Sequence, residues 1–570
     1  MDQEQKKLAE ELLFSKVMKR SFSKNFFFGI FDSTAFQFPE NAFKKDPETE
    51  ELLSKLRKFA DENIDPKKID HDQKISEKVI HGLGELGILG MTVPKEYGGL
   101  GMSQHAYCQV IEEIASRCGS TAVFTNAHQS IGLKGILLFG TKEQKDRYLP
   151  ELAKGSKISA FSLTEPNAGS DAAGIETTAV YDAEKKVFRI NGKKQWTTNG
   201  SIANILTVMA KTVVMTKEGL QQKVTAFLVD PSSVGFKIIN PALEKVGIRG
   251  TQTANLEFTN LEVPEENLLG PLGGGLRVCL TCLDYGRTTF GAMCTGAAKY
   301  AVKRAIDHAK SRYQFNQPLA SFELVKEKLA TMSALTYAMD ATTYFTAGLM
   351  DKGEEDVMLE AAILKVFASD SLWNILYDTM QIFGGLSFFT SESLERMMRD
   401  ARLNMIGEGS NEVLRAFIGL VGMRDVGMKL KGTGKDFKSI IAFVIEILKK
   451  VTPPQITVKS KTLKEEANFL GKGIRNFNFD IIKILAKYKE EIVEKQLILN
   501  RITNCAIALY TMTAVISKLD KELDIDPNTN TEVGKLYCKM AMQNIYNNRF
   551  NITQNYDEAI LSTANTITGL

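Results

Sequence analysis

One change of period constrains this chain more than any other feature. From about Phe161 to Pro271 the residues alternate and are rich in β-branched types, in VFRINGKKQWTTN, NILTVMAKTVV, KVTAFLVD, GFKIIN and TANLEFTNLEV. Asn191-Gly192, inside the first of these, predicts a tight hairpin turn. On both sides the apolar residues return to helical spacing. ETEELLSKLRKFADENI puts Leu52, Leu53, Leu56 and Phe59 on one side. The loop TVPKEYGGLGMS, broken by Pro94, Gly98, Gly99 and Gly101, precedes a helix over HAYCQVIEEIASRC. After the β-rich part, a helix is expected to begin near Asp284 and to run through AAKYAVKRAIDHAK, with Ala298, Val302, Ala305 and Ala309 on one stripe. Residues 431–570 read as a further, mostly helical region, with Pro453-Pro454 and KSKTLKEE as a boundary or mobile loop. The predicted class is α+β. Its parts are an N-terminal arm over 1–45, a helical domain over 46–160, a β-domain over 161–274, a helical bundle over 275–430 and an all-α extension over 431–570. The aromatic stretch SFSKNFFFGIFDSTAFQF in the arm has no regular period; it is read as a clasp on the body.

Composition narrows the function classes. The 570 residues suit about three or four domains. A net charge of +3 over that length does not make a nucleic-acid binder. The seven cysteines are odd in number and scattered, unlike a secreted disulfide framework. Cys279 and Cys282 form a C-x-x-C pair without a second pair at zinc spacing, so they read as buried small residues. The five histidines include no H-x-x-x-H, and no metal is expected. GPLGGG (270–275) is not read as a dinucleotide loop, for want of a strand before it and a helix after it. The start, MDQEQKKLAEELL, resembles neither a signal nor a transit peptide, and the apolar runs fall short of a bilayer span. The expected location is cytoplasmic, peripheral at an inner membrane if the chain touches one, and mitochondrial if this is a processed eukaryotic form.

Three motifs can carry chemistry. FSLTEPNAGSDAAG (161–174) makes a turn-rich loop able to aim backbone N–H groups at a pyrophosphate, with Thr164 and Ser170 adding hydroxyls. KKQWTTNG (193–200) sets Trp196 beside Thr197 and Thr198, which suits a flat ring with polar edges. In MRDARLNMIGEGSNEVLRAFIGL (398–420), Glu408 stands between Gly407 and Gly409, just before a helix capped by Ser410 with Glu412 in its first turn. A base flanked by glycines can be approached closely. Taken singly, the three read equally as a helix-to-strand connection, a cross-strand core tryptophan and a capping loop with an incidental acid.

In this order and setting they resemble the acyl-CoA dehydrogenases, and among them the very-long-chain type with its C-terminal helical domain. NAHQSIGLKGILLFGTKEQKDRYLPELA, SRYQFNQPL, QIFGG and EGSNEVLR add to the resemblance, which covers nearly all the chain from about residue 45. It implies FAD as cofactor. Phe161, Leu163, Thr164, Gly169 and Ser170 would meet flavin and pyrophosphate, with Trp196, Thr197 and Thr198 against the ring. Arg312 and Phe315 match residues that reach the FAD of the neighbouring subunit. Gln381, Gly384, Gly385, Ser410 and Glu412 match the adenosine side, and a homodimer is implied. Glu408 matches the base that takes the α-proton of an acyl-CoA while the β-hydrogen leaves as hydride, giving a trans-2-enoyl-CoA for fatty-acid β-oxidation. A carboxylate desolvated between substrate and flavin would have a raised pKa. Ser170 and Gly409 would touch the acyl-CoA, and Asp284 and Arg287 its CoA portion or point of access, unless they are a simple i, i+3 ion pair. Gly132 and Gly135 match small residues that open the end of a long-chain channel; the alternative is helix packing.

The resemblance also implies an electron-transferring flavoprotein as acceptor. KDFKSIIAFVIEILKK (435–450) would be a membrane-touching helix, or else a buried amphipathic one. The chain departs from the pattern at Gly407, where a larger residue is common, at Ser410 for Thr, and at Asn316 for Gly. An acyl-CoA oxidase and a respiratory-complex assembly scaffold are the competing readings.

Overall fold

The computed structural model describes residues 20–44, 46–433 and 452–569, so the 435–450 segment lies outside the described residues. The chain forms two compact units. One comprises Glu40–Leu329 and Ala368–Gly409; the other holds the described residues of Met18–Pro39, Ala330–Phe367 and Ser410–Leu570.

In the first unit, helix α1 (Pro47–Asn63) starts where the Asp46 side chain accepts from Thr49 N and Pro47 takes the first turn. Its buried face is Leu52, Leu53, Leu56 and Ala60. Helices α2 (Gln104–Arg117), α3 (Gly119–Asn126) and α4 (Lys142–Ala153) follow, the last opened by a Thr141–Gln144 capping box. A six-residue π-helical turn over Ala127–Gly132 continues α3. The sheet has eight strands: β1 (Ser159–Ser162), β2 (Thr178–Asp182), β3 (Val187–Thr198), β4 (Ile205–Thr216), β5 (Gly219–Val229), β6 (Phe236–Asn240), β7 (Thr253–Pro264) and β8 (Leu268–Leu269). Seven run in the order β6-β7-β3-β2-β4-β5-β8, and β1 pairs in parallel with β4. One face encloses Phe188, Ile190, Leu206, Phe227, Leu256 and Leu261. The other packs on helical residues, among them Leu133, Ile136, Leu149 and Leu276. β4 is therefore buried on both faces from Ile205 to Ala210 and reads as an unbroken apolar run.

Three expectations are corrected here. Asn191-Gly192 is not a hairpin turn. β3 runs straight through it, with a register shift against β7 between Ile190 and Gly192. Thr177 crowds Gly192, where a Cβ would lie 2.4 Å from its Oγ1; the turn joining β2 to β3 instead spans 183–186, with Lys186 at φ +53°. The central helix, α5 (Gly275–Ser311), begins nine residues before Asp284. Its first turns are buried at Leu276, Val278, Cys279 and Cys282, which erases an amphipathic signature. The glycines 270–275 do lie between a short strand and that helix. They serve packing: a Cβ on Gly275 would meet the Thr225 backbone at 2.6 Å. Cys279 and Cys282 are core side chains, and burial pushes the Cys279 thiol up to about 12.

The second unit is built on Gln496–Ile525. Among the described residues this is the one helix long and apolar enough to cross a membrane, although the run lengths predicted none. Some 89% of its apolar window is buried, because helices surround it. The aromatic arm packs into this unit. Phe27 is fully buried, 4.9 Å from Phe477, and its carbonyl accepts from Asn478 Nδ2 at 2.6 Å. Gly422 leaves room for the ring: a Cβ there would be 2.2 Å from Phe27 Cζ. Ser23 binds the buried Glu360 carboxylate through its N–H and hydroxyl, at 2.6 and 2.7 Å. Phe27→Ala is expected to destabilise this unit by about 3–5 kcal/mol, read as a lower denaturant midpoint in its unfolding transition.

Candidate active site

The first two motifs are clamped together by a buried ion pair. The turn Glu165–Ala168 is closed by two backbone bonds, Glu165 N to Ala168 O at 2.8 Å and the reverse at 3.3 Å. Glu165 turns inward to meet Lys194 of β3 at 2.6 Å, with the side chains 2% and 0% exposed. Lys194 Nζ also donates to Leu163 O at 2.8 Å, and the Glu165 carboxylate accepts from the N–H groups of Glu176 and Thr177. Gln195 N donates to Thr164 O at 2.9 Å, and the Ser162 and Thr197 hydroxyls meet at 2.9 Å. Burial alone would raise Glu165, yet the charge and hydrogen bonds of Lys194 outweigh it and hold the carboxyl below its ordinary value. Burial carries Lys194 down to about 8. The stabilisation from the lowered carboxyl is present at neutral pH and is lost as pH falls through that depressed value.

Beyond the clamp the backbone turns outward. A second register shift, between Lys194 and Thr197, leaves Trp196 at φ +58° with 63% of its surface exposed. The core-tryptophan alternative therefore fails. Leu163, Thr164 and Thr198 are half-buried, and Gly169 and Ser170 are exposed.

Glu408 is held in a left-handed turn, at φ +56°, followed by Gly409 at φ +100°. That conformation costs a non-glycine residue about 1–2 kcal/mol and survives only where neighbours enforce it. Arg287 is one such neighbour, donating from Nε to Glu408 O at 3.3 Å. Arg287 also meets Asp284 at 3.2 Å, both well buried, so the i, i+3 pair forms. The Glu408 carboxylate lies over Gly286 of α5, where a Cβ would stand 2.7 Å from Oε2 and 3.0 Å from Ile131 Cγ2. Nearby, Tyr107 OH and Ser130 Oγ lie 2.9 Å apart, and Ser130 Oγ donates to Asn126 Oδ1 at 2.6 Å. Thr289 Oγ1 joins that amide oxygen. Burial first, and the Glu408 charge among lesser causes, push the Tyr107 phenol far up. Sequence reasoning missed Gly286, Tyr107 and this network. Asn126 and Ser130 lie in a motif, but no spacing joins them to α2 and α5.

The hairpin β9 (Tyr313–Gln314) and β10 (Gln317–Pro318) closes through Phe315 and Asn316, at φ +51° and +61°. Asparagine tolerates that region, which explains its use in place of glycine. Phe315 is 87% exposed, and Arg312 is exposed. His308, within reach of the Arg312 charge, stacks on Phe383 at 4.1 Å, so Gln381–Gly385 sits by the same end of α5. Gly384 and Gly385 face open space where a side chain would stand. Ser410 caps the helix Asn411–Thr433, accepting from Val413 N at 3.4 Å, and Glu412 is in its first turn. Gly132 and Gly135 abut the chain itself: Cβ atoms would lie 2.5 Å from Ser159 Oγ and 3.2 Å from Leu269 Cδ2, as helix packing requires.

The acyl-CoA dehydrogenase N-terminal, middle and C-terminal domains match residues 46–156, 160–261 and 273–422, and the C-terminal domain described as ACAD9/ACADV matches 461–569. The mitochondrial very long-chain specific acyl-CoA dehydrogenase of Bos taurus is 36% identical, over 91% of this chain and 82% of its own length. A Bacillus anthracis acyl-CoA dehydrogenase complexed with FAD superposes with a TM-score of 0.81 at 29% identity, covering 94% of each chain. A structure described as the electron transferring flavoprotein of Acidaminococcus fermentans matches at TM-score 0.62 and 32% identity, over 67% of this chain and 99% of that one.

Two variants test this geometry. Lys194→Met strands a buried carboxylate and is expected to cost about 3–5 kcal/mol, seen as a lower melting temperature of the first unit. Gly286→Ala displaces the Glu408 carboxylate. It is expected to cut turnover by about 100-fold with the melting temperature little changed; undiminished turnover would contradict the packing.

Proposed function

The chain belongs to the acyl-CoA dehydrogenase family, and from that premise we propose that Glu408 removes the α-proton of a long-chain acyl-CoA. The protein is an FAD-dependent oxidoreductase acting on fatty acyl-CoA. The observation that carries the proposal is the carboxylate packed over Gly286 on a left-handed turn tied to Arg287.

The chain's surface fits the cofactor. Trp196 offers an exposed aromatic face, and Gly384 and Gly385 leave space that side chains would fill. Phe161, Leu163, Thr164, Gly169, Ser170, Trp196, Thr197 and Thr198 are assigned to the ring and pyrophosphate, and Gln381, Gly384, Gly385, Ser410 and Glu412 to the adenosine side. Bound FAD supplies the acceptor for the β-hydrogen and its electron pair. The protein's part is positional. Gly407 and Gly409 let the thioester approach Glu408, Gly286 gives its carboxylate a place to rest, and Arg287 fixes the backbone that aims it. Glu408 N–H, at the same turn, is the donor proposed for the thioester oxygen as charge develops there.

The names of the mammalian relatives support a long or very long acyl chain and a mitochondrial setting. Since Gly132 and Gly135 touch their own chain, the length preference rests on that similarity alone. An electron-transferring flavoprotein is the proposed acceptor. A second copy of the chain is proposed to cover Arg312 and Phe315, whose ring is 87% exposed. Membrane contact through 435–450 remains a proposal from its sequence.

Glu408→Gln is expected to keep bound FAD and to lose flavin bleaching by saturated acyl-CoA by a factor of about 10²–10⁴ under anaerobic conditions. Bleaching at the wild-type rate would remove Glu408 from the reaction. In the wild type, bleaching should be strongest for long acyl chains; a maximum at short chains would overturn the length assignment.

A further inference from the structure

The first unit holds a cavity of about 550 Å³ that the reaction does not use. Its walls come from α1, the ends of α2 and α3, the middle of α5 and the helix Leu394–Arg402. Neither Glu408 nor Gly286 lines it, nor does any residue of 161–170 or 193–200. Its volume is in the range of small-molecule sites.

Two polar groups at its wall lack a partner. Arg396 has no hydrogen bond and no carboxylate within 4.0 Å among the described residues. The neighbouring guanidiniums are committed: Arg117 to Asp61 and Glu113, and Arg399 to Asp70 and Glu395. The Arg396 charge is felt by Asp400, Tyr300 and Cys118, so it acts into this space. Asn404 is only 6% exposed. Its Nδ2 donates to Cys294 Sγ at 3.5 Å, while its Oδ1 has no donor among the described residues. A buried acceptor left unmet costs about 1–3 kcal/mol, so a donor is called for. Much of the remaining wall is apolar, with Ile64, Met293, Leu372 and Met397. Asp400 faces the same space, but its carboxylate accepts from Ile248 N at 2.5 Å, and burial raises it to about 6, which weakens its opposition to an anion.

We propose that this cavity binds a hydroxylated fatty carboxylate, with the carboxylate on Arg396, the hydroxyl donating to Asn404 Oδ1 and the hydrocarbon on the apolar wall. A cation is disfavoured by Arg396, and a plain hydrocarbon leaves both polar groups unmet. The site is separate from that of the acyl-CoA thioester, so it can be occupied while the reaction site is filled.

The test is calorimetric titration of the FAD-loaded enzyme, with its reaction site saturated by hexadecyl-CoA thioether, which has no carbonyl and cannot react. The probes are 3-hydroxydecanoate, decanoate and 1-decanol. Saturable binding of 3-hydroxydecanoate is expected, with decanoate weaker and decanol weakest. Arg396→Gln should weaken both acids at least tenfold and leave decanol unchanged. Asn404→Leu should erase the preference for the hydroxy acid. Ala297→Phe, which fills the cavity and leaves Arg396 in place, should abolish binding, so the proposal stays testable if an Arg396 variant fails to fold. No saturable binding, or binding that Arg396→Gln and Ala297→Phe both leave intact, would overturn it. So would binding seen only without the thioether, which would put the acid in the reaction site, whatever the fate of the Glu408 assignment.

Discussion

The buried pair of Glu165 and Lys194 is the constraint on which the cofactor side depends. A charge removed from water is tolerable only when its partner and its remaining hydrogen bonds are all in place. Here they are in place: Lys194 also reaches Leu163 O, and Glu165 also takes two backbone N–H groups. Each bond ties the 161–170 loop to β3 or to the start of β2. With the backbone pinned on the inside, the loop and the bulge can turn Trp196, Ser170 and Gly169 outward, away from the core.

The base depends on a different device. Glu408 carries a backbone conformation that most side chains avoid, and Arg287 and Gly286, one turn of α5, receive it from opposite sides. Arg287 supplies a donor to the carbonyl, and Gly286 supplies the absence of a side chain. The Tyr107–Ser130–Asn126–Thr289 network next to it is bonded within itself. A static surround of this kind keeps a carboxylate aimed with little reorganisation.

The order of helical, β and helical segments was legible because period survives wherever one face meets water. It failed where burial was complete. The first turns of α5 showed no stripe, since Leu276, Cys279 and Cys282 are all inside. Asn191-Gly192 looked like a turn because its composition is that of one; the glycine is needed instead for the approach of Thr177, a strand away. The aromatic arm had no period because its rings pack irregularly among helices more than 300 residues later, as Ser23 with Glu360 illustrates. Trp196, Phe315 and Glu408 could be picked out as site residues from short motifs, whereas Gly286 and Tyr107 could not.

The sequence by itself determined the family, the cofactor and the identity of the residue proposed as base, because those lie in contiguous motifs whose residue types are set by chemistry at one point of the chain. Tertiary structure alone decided that Lys194 neutralises Glu165, that Gly286 rather than a neighbour underlies the base, that Gly132 and Gly135 pack on their own chain, and that Arg396 and Asn404 share a cavity. These are relations between residues brought together from distant parts of the chain, and the distances and burial that define them exist only once the segments have packed.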